Sequence, residues 1–188
     1  MYELVRKTNE VEVNIKINKT DNINIDSGNG FFDHLLNSLF YYSGFGADIK
    51  VVGDLQTGFH HSIEDLGIGL GQLFNEIFTK ENFIRFQEAY TPMDEALVLL
   101  VSDISNRPTL EYSVNFTMSR IAGLPLELIE EFLIAFVNNA KITLHVKMIS
   151  GKNNHHIAEA LFKGLGRLIA KHFNNELKGV QSTKGKLL

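Results

Sequence analysis

The chain has 188 residues, of which 44% are hydrophobic and 21% charged, with a formal charge of −4 and no cysteine. This is globular composition, long enough for one ordinary domain or two fused small ones, and it excludes disordered and fibrous classes. Lack of cysteine excludes disulfides, thiolate zinc sites and cysteine nucleophiles, and the mildly acidic balance favours neither nucleic acid nor an anionic membrane.

Val11, Val13, Ile15 and Ile17 alternate with Glu12, Asn14 and Lys16, which predicts a half-buried strand. After the Asp21-Asn22 turn, a shorter alternation follows at Ile23 and Ile25. Ser27-Gly28-Asn29-Gly30 then breaks the chain before an apolar helical stretch from Phe31 to about Tyr42. A strand over Ala47–Val52 closes at Gly53-Asp54. The next helix runs from near His60 to about Phe78, with Ile63, Leu66, Leu70, Leu73 and Ile77 as its inner stripe. Further on, Glu95–Ser102 and Thr109–Phe116 read as strands joined through Asn106-Arg107-Pro108. A helix from Pro125 to about Asn139 has proline in its first turn. Ile142–Met148 is a strand, Ser150-Gly151 a break, and His155 to about Phe173 a last helix. Each half thus reads strand, strand, helix, strand, helix, and the chain divides into repeats over 1–92 and 93–188. The expected class is α+β, with helices covering one face of each sheet. The charged start Met1-Tyr2-Glu3-Leu4-Val5-Arg6-Lys7 lacks the apolar core of a signal peptide, and no apolar run reaches membrane-spanning length. A soluble, cytoplasmic protein is expected.

Four of the seven histidines fall in two arrays of one design, His60-His61-Ser62-Ile63-Glu64 and His155-His156-Ile157-Ala158-Glu159. On a helix the first histidine and the glutamate stand one turn apart on one side. Neighbouring histidines diverge by about 100°, so each pair is suited to serve two centres. Imidazole with carboxylate suits a divalent transition metal such as manganese, iron or zinc. Laying the halves together aligns Asp33-His34-Leu35-Leu36 with Glu130-Glu131-Phe132-Leu133, which sets His34 and Glu131 at equivalent places on the first helix of each half. That makes eight candidate ligands. The plainer alternative for His34 is a histidine near a helix start held by a backbone carbonyl.

Ordered blocks along the whole chain resemble the imidazoleglycerol-phosphate dehydratase family of histidine biosynthesis. They are Arg6-Lys7-Thr8-x-Glu10, Gly30-Phe31-Phe32-Asp33-His34-Leu35-Leu36, and Gly53-Asp54 through His60-His61-Ser62-Ile63-Glu64-Asp65. Pro92-Met93-Asp94-Glu95-Ala96-Leu97 and Asp103-Ile104-Ser105-Asn106-Arg107-Pro108 follow. Thr143-Leu144-His145-Val146, then Gly151-x-Asn153-x-His155-His156-x-x-Glu159-Ala160-x-Phe162-Lys163, and finally Ser182-Thr183-Lys184-Gly185 complete the set.

The resemblance implies duplicated half-domains like ribosomal protein S5 domain 2, assembled as a hollow cage of twenty-four subunits with manganese between them. It implies dehydration of D-erythro-imidazole-glycerol phosphate to imidazole-acetol phosphate, without a redox cofactor. The proton lost is a poorly acidic C–H, and two manganese ions per active site would stabilise the imidazolate that expels the hydroxyl. By resemblance the ligands are His34, His60, His61, Glu64, His155, His156 and Glu159, with Glu131 an eighth candidate. Some of the carboxylates, Glu64 and Glu159 among them, could shuttle protons instead, and Glu10 leads as acid/base. Arg85, Arg107, Lys163, Ser182 and Lys184 match positions associated with the substrate phosphate, and their chemistry suits a dianion. Taken singly, Glu10 also reads as a solvated strand-edge carboxylate and the cations as solvated surface charges.

Some positions depart from the family pattern. Gly58 and Phe59 stand where two aspartates commonly precede the first His-His, and Glu131 stands where many members have histidine. Tyr42 replaces a frequent histidine and Gln181 a proline. Two rivals accompany the lyase reading: a dinuclear metallohydrolase acting on a small phosphorylated substrate, and a metal-binding cage with weakened catalysis, which Gly58, Phe59 and Tyr42 keep open.

Overall fold

Two sheets of one design carry the chain, as seen in a computed structural model that describes residues 1–54 and 56–173. The first half comprises β1 (Tyr2–Lys7), β2 (Val11–Asn18), β3 (Ile23–Asp26), α1 (Gly30–Ser43), β4 (Gly46–Gly53) and α2 (His60–Lys80). The second comprises β5 (Phe86–Met93), β6 (Ala96–Asp103), β7 (Thr109–Ser113), the short β8 (Arg120–Ile121) and β9 (Leu124–Pro125), α3 (Glu127–Ala140), β10 (Thr143–Ser150) and α4 (Asn154–Phe173). Strand orders are β1-β2-β4-β3 and β5-β6-β10-β7. In each sheet the first three strands run antiparallel and the last pair parallel.

The alternation in β2 does what its period requires: Val11, Val13, Ile15 and Ile17 are buried on one face. Ala96, Val98 and Leu100 do the same in β6. β1 and β5 are not expected from the sequence, so each four-stranded sheet has three strands before the first helix of its half where two are predicted. Both are edge strands with misleading patterns. β5 buries only Ala89 and Thr91, while Phe86 and Tyr90 stand 58% and 55% exposed on the outer face. β1 turns Arg6, a cation, inward toward α2. Pro125 falls in β9, and α3 starts two residues beyond it.

The helices cross between the halves. α2 packs on β1 and β2, α4 on β5 and β6, α3 on α2, and α1 on α4. Phe32 of α1 meets Phe132 of α3 and Phe162 of α4 edge-on, with centroids 5.4 and 5.8 Å apart. Glycine makes the crossings possible. A Cβ on Gly71 would lie 2.5 Å from the Phe136 carbonyl oxygen and 2.7 Å from Asn139 Cβ. Gly166, at the matching place in α4, meets the Leu39 carbonyl and Tyr42 Cβ in the same manner. At the far ends of α2 and α4, the matching residues Phe78 and Phe173 stack on each other at 5.5 Å and 10°. That stack lies where the two halves meet.

His172 is the deepest ionisable group of this junction. Its Nδ1–H donates to the Ile84 carbonyl at 2.6 Å, so Nε2 accepts from the Ser102 hydroxyl, also at 2.6 Å. Burial pushes its pKa down from 6.5 to about 4, against the Ile84 carbonyl and the Asp103 carboxylate, which act upward. The folded state therefore resists protonation that the unfolded chain accepts. Stability is complete above pH 6.5 and falls as pH drops toward 4, by an amount of the order of 3 kcal/mol. Melting temperatures across this range should show that loss, and His172→Gln, which cannot be charged, should flatten it relative to the parent.

Candidate metal centre

The second array is built on a firmly started helix. The Asn153 side chain accepts the His155 N–H at 2.9 Å, and its carbonyl accepts the Ile157 N–H at 3.0 Å. Next to it, the buried Asn154 side chain accepts from the Thr117 N–H at 2.7 Å. α1 is capped just as well, since the Asn29 side chain accepts from Phe31 and Phe32 N–H. The Asn29 amide also donates to the Ala122 carbonyl, which ties the start of α1 to the turn between β8 and β9.

With both helices fixed, α1 brings His34 to the array of the other half. His34 Nε2 lies 3.6 Å from Glu159 Oε1, and His155 Nε2 lies 3.5 Å from Glu159 Oε2. The two rings sit 5.6 Å apart. One donor atom from each of the three residues falls within 4.8 Å of the other two. Among the described residues, no other set of three histidine or carboxylate donors draws together this tightly. The imidazoles are about half exposed, whereas the Glu159 side chain is 10% exposed. Burial would raise the Glu159 pKa, but the Lys163 ammonium 2.7 Å away, helped by His34 and His155, carries it below its usual range. A buried anion facing two open imidazoles, with no thiolate present, fits a divalent cation of the manganese, iron or zinc kind. Lys163 also lies 5.9 Å over the Tyr42 ring, so its ammonium stands between Tyr42 and Glu159.

His156 turns away from its neighbour, with the two rings nearly perpendicular. Its Nδ1 lies 2.8 Å from Glu95 Oε2, and Asp94 lies 3.7 Å from its Nε2. Glu95 Oε1 accepts the Lys152 and Asn153 N–H groups at 3.1 and 2.8 Å. The hydrogen bond with His156, followed by these backbone donors, pulls the Glu95 pKa to about 2, and the same contact raises that of His156.

The first array is looser. Phe59 precedes α2 without a side-chain cap, as expected where an aspartate is missing. His60 Nε2 stands 3.8 Å from Glu64 Oε2, and Glu64 is 47% exposed. His61 Nδ1 is shielded from solvent without a hydrogen bond, although Glu10 Oε2 is 3.5 Å away: close enough for charge, too long for a bond. Arg6 donates to Asp65 at 2.9 Å and the Thr8 hydroxyl to Asp65 at 3.4 Å, so the opening block Arg6-x-Thr8 clamps β1 to the first turns of α2. Glu131 is half-buried on α3 and joins no such tight group.

The remaining expected residues are distributed unevenly. Arg85 is held by both oxygens of Asp103, at 2.6 and 3.0 Å, and lies over the Phe86 ring. Arg107 reaches the same carboxylate at 3.4 Å. Asp103 ends β6 and Glu95 immediately precedes it, so this arginine pair sits a strand length, roughly 23 Å, from His156 in the same chain. Ser182 and Lys184, with Gln181, lie outside the described residues. Sequence reasoning missed Glu95 and Asn153 as parts of the centre. Glu95 had a usable signal: like Glu10, it immediately precedes the long strand of its half.

The family model described as imidazoleglycerol-phosphate dehydratase matches residues 27–169. A relative of that name from Clostridium novyi (strain NT) is 44% identical over 185 residues, covering 96% of this chain and 94% of its own. Another from Acetivibrio thermocellus is 42% identical over 191 residues, covering 99% and 98%. Among solved structures, the enzyme from Staphylococcus aureus subsp. aureus N315 aligns with a TM-score of 0.84 at 36% identity, over 92% of this chain and 97% of that one. The Pyrococcus furiosus enzyme aligns at 0.85 and 36%, over 97% and 99%.

Proposed function

Because this chain belongs to the imidazoleglycerol-phosphate dehydratase family, we propose that its two histidine arrays serve a paired-metal centre shared between copies of the chain. The protein is a hydro-lyase of histidine biosynthesis that removes water from imidazole-glycerol phosphate. Its fold is the duplicated α+β architecture of that family, and we divide the halves near residue 92.

The observation that carries the reading is the convergence of His34 with His155 and Glu159 from opposite halves. Two manganese ions per active site, with His60, His61, Glu64, His156 and Glu131 as the other ligands, would supply Lewis acidity at the nitrogens of the substrate imidazole. Each array presents an open side, and the two lie on helices whose opposite ends meet at Phe78 and Phe173. A neighbouring copy is the natural source of the missing donors. Glu10, loosely held beside His61, is suited to move a proton at the substrate carbon, and Glu64 and Glu159 remain carboxylates within reach of the reacting region. Lys163 stands beside the triad to receive the phosphate. Arg85 and Arg107, anchored on Asp103, serve the centre of an adjacent copy, and Ser182 and Lys184 are further donors suited to the phosphate. Glu131 brings a charge where many relatives carry a neutral imidazole, which favours a harder cation. The assembly is a cage of twenty-four subunits in the cytoplasm, and no helix among the described residues is long and apolar enough to cross a membrane.

Turnover of imidazole-glycerol phosphate with Mn2+ tests the reading, with His61→Ala as control. The product should retain its phosphate, and released inorganic phosphate would identify a hydrolase instead. Metal removal should also dissociate the assembly, because shared ligands couple subunit contacts to metal loading. Sedimentation after complete chelation should reveal smaller species; an unchanged coefficient would count against shared sites.

A further inference from the structure

Glu10 and Glu95 are counterparts in the two repeats. Each immediately precedes the long strand of its sheet, and each directs a carboxylate oxygen at Nδ1 of the second histidine of an array. Their engagement differs. Glu95 has both oxygens committed, one on His156 Nδ1 at 2.8 Å and the other on two backbone N–H groups at the start of α4. Glu10 lies 3.5 Å from His61 Nδ1 without a hydrogen bond to it, and its side chain is 59% exposed.

We propose that Glu95 is a positioning residue that fixes His156 as a metal ligand, a task for which its counterpart Glu10 is not fastened. This rests on the paired-metal reading above. An ionised carboxylate can only accept, so the Glu95 contact requires the hydrogen of His156 on Nδ1. A neutral ring then has its lone pair on Nε2, the atom that Asp94 also faces at 3.7 Å. The backbone donors on the other oxygen hold the carboxylate in place, so ring tilt and tautomer are set before any ion arrives. One side chain thus ties the orientation of His156 to the backbone that leads into α4.

Glutamine at position 95 separates these roles. Its amide has one accepting end, so either His156 or the α4 backbone must face a donor. Mn2+ titrations followed by the electron paramagnetic resonance of the free ion should show Glu95→Gln weakened by about 10- to 100-fold at one class of site. At saturating Co2+, the visible absorption bands of that variant should shift, which a purely structural role would not produce. Glu10→Gln should keep Mn2+ affinity within about threefold of the parent while kcat falls at saturating metal. If Glu95→Gln fails to fold, Glu95→Asp is read in its place, and about 10-fold weakening is expected from the shorter arm. Parental Mn2+ affinity in whichever variant folds would overturn the positioning role alone. Failure of the parent protein to take up Mn2+ would overturn the metal reading and this inference with it.

Discussion

Replacing His155 by alanine should reduce kcat/KM for imidazole-glycerol phosphate to below about 1% of the parent value, a larger loss than the 10- to 100-fold typical of a residue that only supports a ligand. His155 supplies one of three converging donors, and its ring lies 5.6 Å from His34 and 5.0 Å from Phe31. Without it, the buried Glu159 keeps only Lys163 and His34 as partners. The ion would then have two donors where it had three from this chain. Folding should survive, because the His155 side chain is 43% exposed and its removal opens no core cavity, so metal-free stability should change by less than about 0.5 kcal/mol. Parallel measurement of turnover and metal-free melting checks both halves of the expectation. Near-parental turnover would remove His155 from the ligand set.

Substituting alanine for Gly166 should do the reverse and attack the fold first. Exchanging glycine for alanine inside a helix ordinarily gains close to 1 kcal/mol from propensity. Here the new methyl would strike the Leu39 carbonyl, with the Leu39 carbonyl carbon at 3.0 Å and Tyr42 Cβ at 3.1 Å. Backbone on a capped helix cannot swing aside as a flexible side chain can. Overpacking of this kind costs about 1–3 kcal/mol, equivalent to a fall of several degrees in melting temperature for a chain of this size. Separating α1 from α4 also withdraws His34 from Glu159, so metal affinity should decline together with stability. Gly30→Ala is the matched control: nothing lies within 4 Å of its added Cβ, and no comparable loss is expected. A Gly166→Ala protein as stable as Gly30→Ala would show that the crossing has room for a methyl group.

The parts of this molecule legible from sequence share one property: local periodicity and burial agree. Val11 to Ile17, and Leu66, Leu70 and Leu73, fit that description, and the spacing of the repeated arrays alone singled them out as candidate metal ligands. β5 failed because Phe86 and Tyr90 point outward, which inverts the usual signal. The pairing of His34 with the array of the opposite half depends on α1 crossing α4, a long-range fact that no window of sequence contains. Glu95 lies 61 positions from the imidazole it holds, so only alignment of one half on the other could have singled it out. The anchoring of Arg85 and Arg107 on a single carboxylate was equally hidden, since composition does not reveal which cations are already paired.

The exchange of helices between halves has a historical corollary. A single-repeat ancestor could have built such a triad only by pairing with another copy of itself, and both resulting centres would have carried identical side chains. Fusion into one polypeptide frees each centre to change alone. A tethered Glu95 opposite a loose Glu10, and a carboxylate at 131 opposite an imidazole at 34, are differences that a pair of identical repeats cannot carry.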